Sequence, residues 1–505
     1  MAKTLMFGID GGTWTVIRPM MEKGELPNLT KLTKEGASGK LRTMRPAASP
    51  MLWTTIATGK VPEKHGVQLF GDTSKTVRCK RIWNFYEDMG HPVGLCGYLM
   101  TWPPDIANGF MIPDLFALGP DTQPPELKFL QEFTLSQRRT RGAASHSAGY
   151  YVELARKMYQ CGVSASTLAS ALGFMARKTL TNLPPKERFW RKGLVQPQIY
   201  ADVFARLYQE YHPVYAGFHF HLTDTLSHKY WRYLFPEDFA DVPEEDVARY
   251  GQVIPTAYRL ADEILGRFLG LLDEDTTVVV LSDHGFGPMD PDPVPILNIK
   301  LVMKTIDVPD YLVPMRIGRR WYLTSKDRQN KGVPQHVIDR LSAAYIEETG
   351  APLFGVTEFP GYIRLRLPRY RVDLSGTGVF PELASYPLSE LLKYDTEKVN
   401  SGAHHDDGIV IVHGKSVKAG VAIEGMGLLD VVPTLLALDG LPVAKDMDGQ
   451  VKIEAIDEAF LRTHPIKYID SYEEDENSAD EGPEGEMTAE EREKVMGRLE
   501  ALGYL

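Results

Sequence analysis

Five short runs of β-branched, aromatic and other apolar residues punctuate the chain: TLMFGID, HPVGLCGYL, PVYAGFHFHLT, TTVVVLSDHG and GIVIVHG. Each is bounded by turn-forming Gly, Pro, Asp or His-Gly. Helical patterns separate them, and the runs are apolar on both faces. That combination predicts an α/β fold with a mainly parallel central sheet flanked by helices. Two segments break the rhythm. Residues from about 114 to 197 carry 3.6-residue spacing, as in YYVELARKMYQ and ASTLASALGFMARKTL, and residues from about 297 to 400 mix a helix (VIDRLSAAYIEE) with a strand (GYIRLRL). Both read as insertions forming a cap on a single domain of residues 1–470. The stretch 471–487 is acidic, with no base among Glu473, Glu474, Asp475, Glu476, Asp480, Glu481, Glu484 and Glu486, and reads as a solvated flexible segment. Thr488 and Glu491 then have capping-box spacing, which predicts a last helix over 488–505.

One predicted helix, in PAASPMLWTTIATGK, has Ser49 at the N-cap, Pro50 at the first helical position and Gly59 as its stop. Capping alone accounts for Ser49 as structure. The rest of the chain asks more of it.

Of 505 residues, 43% are hydrophobic and 24% charged, the composition of a folded globular protein. The formal net charge of −11 repels a phosphate backbone and argues against binding of duplex nucleic acid, leaving small molecules as substrates. Three widely spaced cysteines and no CxxC suit a reducing compartment. MAKTLMFGID lacks the pattern of a signal peptide and no apolar stretch is long enough for a bilayer span, so the expectation is a cytoplasmic chain without membrane association. The sequence is silent on oligomeric state.

The ends of the apolar runs carry the chemistry. The first delivers Asp10, the third Asp224 and His228, the fourth Asp283 and His284, and His404 lies just before the fifth. Each has a bland reading as a turn former, a helical pair or a cap. In open α/β sheets, however, ligands bind at the carboxyl ends of strands, where separate loops converge. His404 approaches from the starting side of its strand, so its place depends on the loop SGAHHDDG. Three Asp and three His without a thiolate suit two divalent cations, most readily Zn, with Mn or Fe(II) as alternatives. One is held by Asp224, His228 and His404, the other by Asp10, Asp283 and His284. Two metals about 3.5–4 Å apart form a clamp for in-line displacement at phosphorus. Such a site needs a hydroxyl nucleophile touching the second metal, and Ser49 supplies it, with the helix N-terminus adding roughly 0.3–1 kcal/mol for the anion.

With these residues in place, the chain resembles the alkaline phosphatase superfamily, in its type I phosphodiesterase and nucleotide pyrophosphatase branch. The resemblance rests on GIDGGTWTVI, GELPNLTKLTKEGASGKL, SPMLWTTIATGKVPEKHGV, HLTDTLSHKYW, LSDHGFGPM, GAHHDDG and LLDVVPTLLALDGLP. It implies an alkaline phosphatase-like fold, a phospho-enzyme on Ser49 and the ligand set Asp10, Ser49, Asp224, His228, Asp283, His284 and His404, with His405 left aside. The better-known nucleotide pyrophosphatases have threonine where Ser49 stands, and an asparagine near the position of Leu69 and Phe70. The expected function is therefore a metal-dependent phosphoric ester hydrolase acting on a small phosphoester or nucleotide. The alternatives are a phosphomonoesterase, for which Arg42 and Arg45 are the nearest cations in sequence, a phosphomutase, or a non-catalytic metal-binding protein of the same fold. Trp53, Trp102 and Trp231 are assigned to the core.

Overall fold

The computed structural model describes residues 3–68, 72–136, 148–180, 183–289, 295–317, 320–325, 332–359, 362–367, 373–394 and 400–473. Leu69, Phe70, the acidic stretch beyond Glu473 and the helix expected over 488–505 lie outside the described residues.

All five apolar runs become strands of one eight-stranded sheet. They are β1 (Lys3–Ile9), β3 (Val93–Cys96), β5 (Tyr215–Phe220), β6 (Thr276–Leu281) and β9 (Asp407–His413). Three strands with weaker sequence signals complete it: β2 (Ala37–Arg42), β4 (Gly109–Ile112) and β10 (Val421–Gly427). The order is β10-β2-β9-β6-β1-β5-β3-β4. Seven strands run one way, and β9 alone is antiparallel, to β6 on one side and β2 on the other. The period-two alternation of β1 explains why the sheet is covered twice. Phe7 stacks on Phe218 and meets Phe268 of the helix Val253–Leu269, whereas Met6, on the opposite face, accepts from the Tyr215 hydroxyl.

Helix α1 (Ser49–Thr58) is buried along its whole length and stops at Gly59. Its start differs from the sequence expectation by one residue. Ala48, with extended backbone, is the N-cap; Ser49 is the first helical residue, and no side chain caps the helix. From inside the first turn the Ser49 hydroxyl does not turn back onto the backbone N–H groups as a cap would, which leaves its oxygen for another use.

Within the same compact unit, which comprises the described residues to 288 and from 401 to 473, the first insertion adds the helices Lys128–Ser136, Ala148–Gln160, Ala165–Leu180 and Pro185–Gly193. Leu130, Leu154 and Met158 from these helices join the main hydrophobic core beside Phe204 and Leu207. At the end of the unit Tyr472 stacks on Phe85 with ring centroids 4.1 Å apart, and Glu473 accepts from Lys60. Residues 289–400 form a second unit with a core of its own, built from Leu323, Leu341, Ile363, Leu365 and Leu391. Its main sheet is four-stranded and antiparallel, and Pro295–Leu297 pairs with Leu392–Tyr394 in a separate two-stranded sheet. Among the described residues no helix is long and apolar enough to cross a membrane.

The antiparallel partner of β7 (Gly285–Pro288) is β8 (Gly402–His405), registered so that His404 lies opposite Phe286. Gly402 permits this approach, because a Cβ there would sit 2.3 Å from the Ser227 carbonyl and 2.7 Å from the Phe286 ring. Gly402→Ala should therefore cost about 1–3 kcal/mol in denaturant unfolding. Gly173→Ala, in an open helical position, should be neutral or stabilising by about 0.5–1 kcal/mol. Equal effects at the two positions would show that β8 does not depend on this contact.

Candidate active site

The seven singled-out residues come together at one edge of the sheet. Asp10 follows β1, Asp224 lies in the first turn of helix α2 (Leu222–Leu234) after β5, and Asp283 and His284 fill the turn between β6 and β7. His404 reaches the same edge because β9 runs backwards, so the residues leading into it stand where the parallel strands end. Helix α1 and the residue before its N-cap reach both groups: His404 Nδ1 is 3.0 Å from the Ala47 carbonyl, and Trp53 Nε1 donates to Asp10 Oδ2 at 3.3 Å. Ser49 stands between those two anchors in sequence.

Two clusters result. In the first, His404 Nε2 is 3.2 Å and His228 Nε2 3.5 Å from Asp224 Oδ1, and the two Nε2 atoms are 3.0 Å apart. In the second, His284 Nε2 lies 3.5 Å from Asp10 Oδ1 and 3.6 Å from Asp283 Oδ2. The His284 and His404 rings stack at 3.6 Å, joining the clusters. Each of the three imidazoles places Nδ1 against a backbone carbonyl: Gly402 for His228, Ala47 for His404 and Gly285 for His284. With Nδ1–H donating outward, every Nε2 would present its lone pair inward once a cation is bound, the tautomer that metal-binding histidines adopt; in the metal-free chain the Nε2 atoms of His228 and His404 lie against Asp224 instead.

The interior is thus lined by acceptors. Asp10 Oδ1, Asp283 Oδ2, His284 Nε2 and Ser49 Oγ are buried and find no hydrogen-bond partner among the described residues. Leaving such atoms unmatched in a dry site is costly, and a divalent cation matches them. Among the described residues three sets of Asp and His atoms lie within 4.8 Å of one another: Asp10, Asp283 and His284; Asp224, His284 and the half-buried His404; and Asp10, His219 and His221; their nitrogen and oxygen donors fit such ions.

The electrostatics are those of like charges in confinement. Burial, and then the neighbouring charges of Asp10 and Asp224, push the Asp283 carboxyl well above the usual range. Its neighbour Ser49 Oγ is close by without a hydrogen bond of normal geometry. Burial also raises Asp224, but the charges and hydrogen bonds of His228 and His404 outweigh it and hold Asp224 well below the carboxylate range. For Asp10, burial is outweighed by hydrogen bonds from His219 and His221. His284 is pushed down to about 3, first by burial and then by His404, and is neutral at physiological pH.

Sequence reasoning missed His219 and His221. Their rings lie 3.1 Å from Asp10 Oδ2, through Nε2 of His219 and Nδ1 of His221. The available signal was HFH at the end of a strand, two imidazoles on one face. Trp53 and Trp231 are core residues, as expected, whereas Trp102 is only half-buried. Arg42 is exposed, and Arg45 pairs with Asp406.

Asp283 sets a pH dependence for the metal-free protein. A carboxyl whose folded pKa exceeds its unfolded value of about 3.9 favours the fold fully at lower pH and loses that contribution as pH rises through the folded value. Asp283→Asn should be more stable than the parent chain at neutral pH in the presence of a chelator, with the gap closing as pH falls towards about 4. Denaturant unfolding across that range checks it, and a gap that widens on acidification would contradict the assignment.

A family model described as type I phosphodiesterase / nucleotide pyrophosphatase matches residues 4–358, well over half of the chain. The match spans Asp10, Ser49, Asp224, His228, Asp283 and His284 and ends before His404. No curated protein matches the sequence. Among solved structures, human ectonucleotide pyrophosphatase / phosphodiesterase 5 is similar with a TM-score of 0.47 at 12% identity, covering 90% of this chain and 100% of that one. Membership rests on the family match. The chain belongs to the type I phosphodiesterase / nucleotide pyrophosphatase family of the alkaline phosphatase superfamily, and is a phosphoric ester hydrolase of that family.

Proposed function

We propose that the chain cleaves phosphodiester or pyrophosphate linkages of small molecules through a phosphoserine on Ser49, at a site that holds two divalent cations. The observation that carries this reading is the buried, acceptor-lined pair of clusters at the helix start where Ser49 stands with an uncommitted oxygen. Asp224, His228 and His404 would hold one cation, and Asp10, Ser49, Asp283 and His284 the other. When bound, such cations neutralise the crowded carboxylates, favour the ionised hydroxyl and stabilise charge developing at phosphorus. The nitrogen and oxygen donors suit Zn, with Mn or Fe(II) as alternatives.

The residues divide the remaining work. Ser49 Oγ attacks phosphorus as the bond to the leaving oxygen breaks, and water then attacks the phosphoserine, releasing the phosphoryl product and restoring the hydroxyl. Backbone carbonyls fix the orientation of His228, His284 and His404, so the site is organised before substrate arrives. The N-terminus of α1 adds a favourable field for the phosphoryl group, about 0.3–1 kcal/mol. A diester fits better than a monoester, whose extra charge asks for a cationic contact. Arg42 is exposed and Arg45 is committed to Asp406, so neither sequence neighbour of Ser49 is engaged for that purpose. The three unpaired cysteines agree with a reducing, cytoplasmic setting.

Because Ser49 Oγ makes no cap, Ser49→Ala should leave the melting temperature nearly unchanged while lowering kcat/KM by about three orders of magnitude or more. Acid-quenched turnover should leave, on the peptide that carries Ser49, the phosphoryl group with the one substituent it retains when the leaving oxygen departs. Near-parental hydrolysis by the variant would make Ser49 structural. On substrate class, bis-(p-nitrophenyl) phosphate should exceed p-nitrophenyl phosphate in kcat/KM with the same metal. A tenfold preference for the monoester, about 1.4 kcal/mol, would select the phosphomonoesterase reading instead.

A further inference from the structure

Asp10 is held by a set of groups outside the seven singled-out residues, one of which, His221, also lies 3.9 Å from Asp224 Oδ2 through its Nε2. Its backbone N–H donates to the Phe220 carbonyl, and its own carbonyl accepts from Thr223 Oγ1 at 2.6 Å. On the side chain, three ring nitrogens converge on one oxygen. Trp53 Nε1, His219 Nε2 and His221 Nδ1 lie 3.3, 3.1 and 3.1 Å from Oδ2, while Oδ1 is left towards His284. All three rings are themselves fixed. The edge of Trp53 meets His219 at 4.6 Å between centroids, and Phe116 meets His221 at 5.8 Å. Gly8, opposite His219 in the β1–β5 register, makes room, since a Cβ there would sit 2.5 Å from the Trp53 ring.

We propose that Trp53, His219 and His221 form a three-donor cradle on Asp10 Oδ2 that turns Oδ1 towards its cation, and that His219 and His221 are positioning residues for the site containing Asp10. This rests on the two-cation reading above. The indole N–H decides between a cradle and a third cation site made by Asp10, His219 and His221. An indole nitrogen donates and cannot ligate, so an oxygen that accepts from it alongside two imidazoles is a hydrogen-bond acceptor. The cradle acts in two ways: it removes the rotational freedom of the carboxylate, and it stabilises the ionised form in a dry site. Loss of such outer support lowers metal affinity by about 10–100-fold.

The test is competition for Zn²⁺ between a chelator of known affinity and the full-length protein, giving two dissociation constants, with kcat/KM measured alongside. His219→Ala should weaken one of the two sites by about 10–100-fold and leave the other nearly unchanged, and His221→Ala, whose Nε2 also lies 3.9 Å from Asp224 Oδ2, should weaken that same site more than the other. His219→Gln and His221→Asn, whose amides keep an N–H at the reach of the lost Nε2 and Nδ1, should recover most of that affinity. Trp53→Phe keeps an aromatic ring but removes the N–H together with part of the buried indole; it should weaken the same site severalfold, and, with its unfolding free energy measured beside the two dissociation constants, it carries the test if an alanine variant does not fold. A structural role alone would lower stability without separating the two sites or favouring the amide variants. Parental affinity at both sites in the alanine or Phe variants overturns the cradle, as does a third Zn²⁺ equivalent in the parent that disappears with His219. A parent chain that does not bind two ions overturns the two-cation reading, and the cradle with it.

Discussion

Three imidazoles and three carboxylates crowd one another in a nearly dry space, and the surrounding strands and helices hold that arrangement. Left to themselves these groups repel, which is why burial and the charges of Asp10 and Asp224 drive Asp283 towards its protonated form. The fold resists this by spending backbone carbonyls at Gly402, Ala47 and Gly285 to fix each ring. It also fastens Asp10 from behind with Trp53, His219 and His221. Stability given up at the site is matched by rigid support from strands and a fully buried helix.

Strand direction is the second constraint. With parallel strands alone, only residues following a strand reach the carboxyl edge. The single antiparallel strand, Asp407–His413, begins at that edge, so the strand Gly402–His405 before it can lay His404 against His284. Gly402 lets that strand approach α2, and the Ser401 backbone N–H donates to the His228 carbonyl at 2.7 Å. Residues almost four hundred positions from Asp10 in sequence thereby complete the site, beyond the end of the family match at 358.

What could be read from the sequence follows from this physics. Asp10, Asp224, Asp283 and His284 stand directly after strong apolar runs, so their place needs only a strand and its end. The position of His404 depended on strand direction, which the composition of GIVIVHG does not encode. Ser49 was displaced by one residue, from cap to first helical position, because Ser-Pro is compatible with either start and the extended Ala48 decides between them. His219 sits in a strand buried on both faces and His221 just beyond its end, where HFH reads as core filling; only the pairing of Gly8 with His219 brings them against Asp10. Strands such as Gly109–Ile112 are too short to carry a pattern of their own.

The central claim is that these acceptor clusters are two adjoining cation sites, and the number and position of bound ions tests it most directly. Anomalous difference maps from crystals of the metal-loaded chain, recorded at the edge of the bound element, should show two peaks about 3.5–4 Å apart. One should be bounded by Asp224, His228 and His404, the other by Asp10, Ser49, Asp283 and His284. A single peak shared by both clusters, or metal bound elsewhere while the Nε2 atoms of His228, His284 and His404 contact only protein or water, would contradict the account.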